Sequence, residues 1–220
     1  ERWDWLTGMN LWGRNLATSA PVTFKSDGIQ RLILDNANAG IQQMSPQDTL
    51  SFMTDVLPIG SDFVQRYYGI SLYHHSVVNM GVGWKLTAGG RVEYEGQQFK
   101  YDSGAEVQYR IVSPDGDVNS LLPVTLAGTQ TAHYFQWAPK VAVTYSHGYS
   151  TWHALVGRGF KAGGFNTQLF SDLIQQKMTS EIIRNYISVD DNIDVRRTTR
   201  YKPEHSWNLD AGYKWQKDRT

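Results

Sequence analysis

The sequence is dominated by runs in which apolar and polar residues alternate. From Trp84 to Glu95 the even positions are apolar or small and the odd positions are polar or small; the parity is reversed from Ser206 to Lys217, and a third run extends from Phe135 to Ser146. A period of two residues indicates β-strands with one apolar and one hydrated face. These runs are about twice as long as the usual strand of a soluble protein. Their length suits strands that cross a bilayer at a tilt and place roughly 9–11 residues in the hydrocarbon.

The composition agrees with this interpretation and excludes some others. The 21 basic and 21 acidic residues leave no net charge, which gives no support for a nucleic-acid partner. The mean hydropathy is −0.45, and no apolar run approaches the roughly 18 residues of a membrane helix. A transmembrane barrel has a similar average, because its strands alternate. There is no cysteine, so neither a disulfide nor a thiolate metal site is expected.

Aromatic residues make up 13% of the chain, and many of them lie near the ends of the alternating runs. Such positions are typical of the aromatic girdles of outer-membrane barrels. The alternative is the aromatic core of a soluble β-sandwich. The length of the strands favours the girdle.

We predict six long strands joined by connections of alternating length. Short glycine-containing turns at 79–83 and 148–150, with the start of a third at 217–219, are expected at one end of the sheet, and long loops at 13–62, 102–132 and 161–205 at the other. This asymmetry is typical of outer-membrane barrels. The predicted strands are Trp3–Trp12, Phe63–Val78, Trp84–Tyr101, His133–His147, Thr151–Phe160 and Ser206–Gln216.

Two of the long loops contain helical patterns. Ser45 followed by Pro46 predicts a helix start that continues through Thr49–Val56. Apolar residues at roughly helical spacing predict a second helix within Thr167–Tyr186. Loops of this length are usually functional when they are ordered.

The predicted fold is all-β: antiparallel up-and-down strands of a partial transmembrane β-barrel, with short helices in the long loops and no domain boundary within residues 1–220. Six strands do not close a barrel, and the chain starts inside an alternating run without a signal peptide, so we expect a segment of a larger barrel. The predicted lipid face carries Trp84, Leu86, Val92, Tyr94, Phe135, Val141, Val143, Trp207, Leu209 and Tyr213. The predicted lumen face carries Lys85, Arg91, Glu93, Lys140, Thr144, Asn208, Asp210 and Lys214.

Four motifs, in the expected order, resemble the later strands of TonB-dependent outer-membrane receptors. They are the strand Thr87–Glu95 (TAGGRVEYE), the strand Pro139–Tyr145 (PKVAVTY), the strand end and loop entry Gly157–Asn166 (GRGFKAGGFN), and the strand Lys202–Lys214 (KPEHSWNLDAGYK). The resemblance covers about Phe63 to Thr220, and it depends on the four motifs together rather than on any one.

The resemblance implies a part of a barrel of about 22 strands in the outer membrane of a Gram-negative bacterium, in contact with its lipid. The plug domain, the TonB box and the C-terminal strand of the family are not found in this sequence. The implied function is active uptake without covalent chemistry: the long loops and the plug bind a scarce ligand, and the TonB complex acts on the plug. Family ligands are siderophores, haem, cobalamin and oligosaccharides.

Candidate ligand contacts lie in the last long loop. Lys161 and Asn166 at its entry, and Phe170 and Tyr186 within it, are candidates for the small-molecule or metal-chelate ligand. The alternatives are a hydrated loop base for the first two and helix packing for the aromatic pair. Asp190–Asp194 with the following arginines predicts either an ion-pair patch or a hydrated loop.

Other chemical motifs are rejected. The Gly157-x-Gly159-x-x-Ala162 spacing matches a dinucleotide fingerprint, but Gly163 and Gly164 prevent the helix that it needs. The six histidines lack a metal-binding spacing, and Asp115–Asn119 lacks the remaining ligands of a calcium loop, so a turn at 113–116 is expected there. Glu204 is expected to pair with Arg91 or Arg158. We find no catalytic arrangement and expect no enzyme, cofactor or metal.

Two other functions remain open on sequence grounds. A soluble β-sandwich or barrel acting as a binding module would stay monomeric in water without detergent. An outer-membrane adhesin or enzyme would show partner binding or activity in its loops.

Overall fold

Long antiparallel strands in one sheet make up most of the computed structural model, which describes residues 2–184, 186 and 193–217. The strands are β1 (Trp3–Ser19), β2 (Val22–Lys25), β3 (Thr49–Phe52), β4 (Val56–Gly81), β5 (Trp84–Val112), β6 (Val118–His147), β7 (Ser150–Lys161), β8 (Gly164–Phe165), β9 (Arg200–Tyr201) and β10 (Glu204–Trp215). The helices are α1 (Ser26–Ile29), a π-helical turn (Gln30–Leu34), α2 (Asp35–Met44), a 3₁₀ turn (Thr167–Leu169), α3 (Phe170–Ile183) and α4 (Val195–Thr199).

The six predicted strands are confirmed as neighbours in the sheet. Their order is β1-β4-β5-β6-β7-β10, every pairing is antiparallel, and the short strands β2 and β3 pair with β4 and β5. β8 and β9 form a separate two-stranded sheet. Within the described residues β1 and β10 are the two edges of the main sheet.

The predicted long loop at 102–132 is wrong. β4, β5 and β6 are 26, 29 and 30 residues long, and β5 and β6 remain paired from Trp84–Tyr145 to Ile111–Val118. Only residues 113–117 connect them, with the turn predicted at 113–116 closed by a 3.0 Å hydrogen bond from the Gly116 amide to the Ser113 carbonyl. These strands therefore continue well beyond the length that a bilayer requires.

The two faces of the sheet exchange polarity along β5. The face that carries Trp84, Val92 and Tyr94 is apolar up to Tyr94 and then carries Gln98, Lys100, Asp102 and Glu106. The opposite face is polar from Lys85 to Gln97 and then carries buried Phe99, Tyr101, Val107, Tyr109 and Ile111. The alternation of apolar and polar residues continues along β5, but the apolar residues move to the other face. A prediction that assumes one apolar face throughout therefore ends the strand too early. We call the part beyond Tyr94 (residues 56–68, 96–112 and 118–133) the upper sheet.

The predicted lipid face is an exposed surface in this structure. Leu209, Phe135 and Trp207 are 84%, 68% and 64% exposed. Neighbouring strands align these residues in rows such as Leu86–Val143 and Tyr94–Phe135. An apolar band of this extent is unsuited to contact with water. We call the ten predicted lipid-face residues the membrane belt.

The core lies on the opposite face of the upper sheet, under two long connections. The first connection (residues 20–55) joins β1 to β4, and the second (residues 162–203) joins β7 to β10. Helices α1, α2 and α3 pack there against Leu57, Ile59, Val107 and Val124, and Ile33, Ile41, Ile174, Met178 and Ile182 are fully buried between them. Each such side chain contributes roughly 1.5–3 kcal/mol when it is buried. The connections are therefore folded against the inner wall of the sheet.

The helix predicted from Ser45 through Thr49–Val56 is wrong. The Asp48 amide donates to the Ser45 carbonyl in a turn, and Thr49–Phe52 is strand β3, paired with the end of β5. Asn38 in α2 holds this strand, since its side chain accepts from the Leu50 amide at 2.7 Å and donates to the Leu50 carbonyl at 3.0 Å. Pairing with the unexpectedly long β5 thus prevails over the local helix-start signal. The helix predicted within Thr167–Tyr186 is confirmed as the 3₁₀ turn and α3.

The short turns at 81–84 and 147–150 lie at the same end of the sheet, as predicted. Gly83 has φ of +82°, and its carbonyl accepts from the Ser146 amide at 2.9 Å. A Cβ at Gly83 would lie 2.0 Å from the Ser146 carbonyl oxygen, so the first turn requires glycine there. Residues 218–219 of the predicted third turn lie outside the described residues.

No helix in the described ranges combines the length and the apolar character needed to cross a membrane.

Candidate functional site

The connection between β7 and β10 forms the candidate site, and it is fixed to the inner face of the sheet by close backbone packing. A Cβ at Gly163 would lie 2.6 Å from the Tyr201 carbonyl oxygen and 2.8 Å from the Tyr134 ring. The Gly163 carbonyl accepts from the Gln97 side chain at 2.8 Å. Glycine at this position allows β8 and β9 to lie directly on the sheet, which agrees with a structural reason for the glycines of this motif.

An aromatic cluster anchors the start of α3. The fully buried Phe170 ring lies 5.0 Å from the rings of both Phe63 and Tyr101, and Phe99 lies 4.9 Å from Phe165. Edge and stacked contacts of this kind add to the energy of burial. Phe170 thus has a packing role in this structure.

The other predicted contact residues are spread along the same connection. Lys161 is exposed at the end of β7, with Nζ 3.9 Å from Glu204 Oε2, so the expected pairing of Glu204 with Arg91 or Arg158 is wrong. Asn166 caps the 3₁₀ turn, with Oδ1 accepting from the Gln168 amide at 3.0 Å. Contact of Lys161, Asn166, Phe170 and Tyr186 with a ligand stays a prediction.

Tyr186 connects the two long connections. It packs at the border of the helical core and lies close to Asp48 in the first connection. Burial raises the pKa of the Tyr186 phenol, and the nearby Asp48 carboxylate raises it further. The phenol is therefore uncharged at neutral pH, and its contact with Asp48 ties the second connection to the first.

A polar cavity of about 860 Å³ lies between the two connections. Amide, carboxylate and hydroxyl groups dominate its wall, with two aliphatic side chains among them. The lining residues are Leu32, Asn36, Asp172, Gln175, Gln176, Thr179, Ser180, Ile193, Asp194 and Thr198. This wall suits a ligand with many hydrogen-bonding groups, and its volume is in the range of known ligand sites.

A second cavity, of about 490 Å³, shares Asp194 with the first and carries four cationic side chains. We call it the basic cleft. Its lining residues are Asp194, Arg196, Arg197, Arg200, Lys202 and Pro203. The sequence predicted an ion-pair patch or a hydrated loop from Asp190–Asp194 with three of these arginines, and it did not include Lys202. Residues 190–192 lie outside the described residues. Four cations within seven positions were the signal that could have identified the cleft.

Polar groups line the inner face below the upper sheet. Glu93 is 7% exposed, and its carboxylate receives the Arg91 guanidinium at 2.8 Å and the Trp12 indole N–H at 3.2 Å. Glu95 accepts from Gln97 at 2.5 Å. The predicted lumen positions Arg91 and Glu93 thus form an ion pair on this inner face. In the described part of the chain, no three His, Asp or Glu side chains cluster closely enough to hold a metal ion.

Comparison with known protein families decides between the functions that the sequence leaves open. Residues 3–220 match the family described as TonB dependent receptor-like, beta-barrel. This chain belongs to the TonB-dependent receptor family. No curated protein matches the chain.

Membership assigns the chain to transporters of the Gram-negative outer membrane rather than to enzymes. The family implies ligand binding and coupling to TonB. It also explains the exposed membrane belt, because lipid covers that surface in a receptor barrel. The soluble binding module and the adhesin or enzyme barrel are therefore set aside.

Proposed function

We propose that this TonB-dependent receptor imports a polar ligand, of the siderophore or oligosaccharide class, and that the polar cavity between the two long connections captures it. One observation carries the proposal: the connections pack on the inner face of the upper sheet and together line an open cavity on that side of the strands. A ligand bound there lies on the route through the barrel. The chain acts as a single barrel domain, and a plug domain of the complete receptor transmits the pull of TonB.

The cavity wall discriminates among the ligand classes of the family. Gln175, Gln176 and Thr179 present amide and hydroxyl groups from one face of α3. None of the ten lining residues is a histidine, methionine, tyrosine or cysteine, so the wall offers no axial ligand for haem iron. Hydrogen-bonding side chains instead fit hydroxyl, amide or hydroxamate groups, which favours siderophores and oligosaccharides over haem and cobalamin.

The test is uptake by cells that carry the intact receptor gene, with and without functional TonB. Ferric siderophores, haem, cobalamin and oligosaccharides are supplied separately in labelled form. We expect TonB-dependent accumulation of a member of the first or last class. Equal uptake in both strains would contradict energy coupling, and TonB-dependent uptake of haem alone would contradict the assigned ligand class.

A matched pair of variants locates the capture step. Gln175→Leu with Gln176→Leu removes two amides from the wall at nearly constant volume, and we expect about tenfold weaker binding of the imported ligand, since each lost hydrogen bond contributes about 0.5–1.5 kcal/mol. Gln108→Leu, an exposed position on the outer face of β5, is the control and should bind as the unmodified receptor does. Equal affinity in both variants would remove the cavity from the uptake route.

A further inference from the structure

We propose that the basic cleft is a second binding site, specific for small polyanions that carry phosphate or carboxylate groups. The inference builds on the proposed uptake function, because it adds a site for anionic groups beside the polar cavity. It depends on how the local fold directs four cationic side chains into one recess.

Helix α4 supplies the first two cations. Val195 and Thr199 are 8% and 1% exposed and fix one face of this helix to the protein. The Asn166 amide donates to the Thr199 carbonyl at 2.8 Å, which ties α4 to the start of the 3₁₀ turn. Arg196 and Arg197 therefore occupy the exposed face of the helix and point away from the core.

The chain after α4 supplies the other two. Arg200 pairs with Phe165 in the small sheet, and in extended chain Arg200 and Lys202 lie on the same side while Tyr201 lies on the other. The Arg200 guanidinium also lies 5.6 Å from the centre of the Tyr134 ring, which limits its movement. Both pairs of cations thus line the same cavity.

The charges of the cleft are not balanced within the described part of the chain. None of the four cleft cations takes part in the ion pairs of that described part. The cations of those pairs are Arg91, Arg110, His153, Lys161 and Arg184. Asp194 contributes a single carboxylate to the lining, and its Oδ1 accepts from the Arg197 backbone amide at 2.9 Å. Four mutually repelling cations beside one anion favour the binding of a multiply charged anion.

The chemistry of the cations indicates the ligand class. Three of the four are arginines, whose planar guanidinium groups form paired hydrogen bonds with phosphate and carboxylate oxygens. A volume of about 490 Å³ suits a small molecule. Such groups occur on free polyanions and on lipid headgroups, so the experiment includes a probe for each source.

The test uses the complete receptor in neutral detergent, with binding measured by calorimetry. Inorganic pyrophosphate and citrate are the free probes, and short-chain phosphatidic acid, compared with short-chain phosphatidylcholine, is the lipid probe. We expect saturable binding of at least one anionic probe that weakens as ionic strength rises from 0.01 to 0.15 M, because the Debye length falls from about 30 to about 8 Å. Preference for phosphatidic acid over both free probes identifies the headgroup as the source, and preference for pyrophosphate or citrate identifies a free polyanion.

Two variants locate the site, and a third controls for charge. Arg196→Gln with Arg197→Gln should weaken binding of the anionic probe about tenfold or more, because two guanidinium groups that can form charge-assisted hydrogen bonds with the anion are lost. Arg200→Gln with Lys202→Gln should weaken binding to the same extent, so that either double variant can serve if the other fails to fold. Lys25→Gln with Arg31→Gln removes two exposed charges from the other connection and should leave affinity unchanged.

The proposal is overturned if no anionic probe binds saturably, or if the control variant loses as much affinity as the cleft variants. Failure of the proposed uptake function can be distinguished from failure of the anion site. A receptor that binds the anion through the cleft but shows no TonB-dependent import keeps the anion site and loses the transport proposal.

Discussion

At the scale of single residues, two aromatic side chains that the sequence suggests as ligand contacts pack against the protein at the inner face of the upper sheet. Phe170 is a loop aromatic that could contact a ligand, yet it is fully buried among Phe63, Phe99 and Tyr101. Tyr186 belongs to none of the recognised motifs, yet it links the two connections through its contact with Asp48. We therefore expect both residues to hold in place the connections that line the cavity.

Replacing Phe170 by alanine should release the second connection from the sheet. Removal of a buried phenylalanine typically costs about 3–5 kcal/mol, which exceeds the local stability that a surface segment can spare. We expect rapid proteolysis within residues 162–203, whereas the strands remain folded by heat-modifiable migration in gels. Phe170→Leu keeps most of the volume and should be cleaved much more slowly. Protection of Phe170→Ala equal to that of the unmodified protein would show that the aromatic cluster does not anchor the connection.

The tie between Tyr186 and Asp48 should be sensitive to alkaline pH. Because the folded state raises the pKa of this phenol above its ordinary value of about 10, the stabilisation is complete below pH 10 and is lost as pH rises through the raised pKa. Ultraviolet difference titration of the unmodified protein against Tyr186→Phe isolates this group. We expect the difference signal to appear above pH 10; a signal centred at or below that value would contradict the contact of this phenol with Asp48.

At the scale of elements, the six long strands were predictable in number and in direction but not in length, and the short strands β2, β3, β8 and β9 were not predicted. The alternation at Trp84–Glu95 identified the membrane portion of β5, whereas Phe99–Ile111 alternates with the opposite polarity. The inner face of that second portion is apolar because the two connections cover it. Coverage by residues distant in sequence is not visible in a local pattern. Pairing with distant β5 likewise makes Thr49–Phe52 a strand, β3, where a helix was expected at 49–56.

The upper edge of β6 shows a second feature that depends on tertiary contacts. β7 pairs with β6 only from Lys140 to His147, so the rest of this edge lacks a strand neighbour within the described residues. Arg158 donates to the Trp137 carbonyl at 2.7 Å, and Lys177 donates to the Thr125 carbonyl at 2.8 Å. Cationic side chains on an unpaired edge discourage pairing with other chains. No motif in the sequence indicates these two contacts.

The first short turn allows a matched test of backbone conformation. Val82 has φ of +48°, which is unfavourable for a β-branched residue, and Gly83 requires its positive φ and its close approach to Ser146. We expect Val82→Asn to stabilise the barrel by up to about 1 kcal/mol and Gly83→Ala to destabilise it by more than that. The midpoint of thermal conversion between folded and unfolded gel bands measures both. Equal effects of the two substitutions would contradict this turn geometry.

At the scale of the whole molecule, one strand pair serves two environments. Its lower part carries the membrane belt and a polar inner wall, and its upper part carries a polar outer face and an apolar inner face under the cavity. The change occurs near Tyr94 and Phe135, which are paired across β5 and β6. The site was less predictable than the fold, because its walls come from α2, α3 and α4, and only their packing on the upper sheet brings Asn36, Gln175 and Thr198 to one cavity.

This change of polarity predicts where lipid ends, and the chain allows a direct test because its sequence contains no cysteine. Thr129 lies on the exposed outer face of the upper sheet, Val141 lies in the membrane belt, and Tyr149 lies in a short turn. With a membrane-impermeant maleimide on intact cells, we expect Thr129→Cys to be labelled and Val141→Cys to be protected by lipid. Tyr149→Cys should react only after the outer membrane is permeabilised, because the short turns of such barrels face the periplasm. Labelling of Val141→Cys in intact cells, or of Thr129→Cys only after permeabilisation, would place the membrane elsewhere and would remove the reason for two opposite polarities in a single strand.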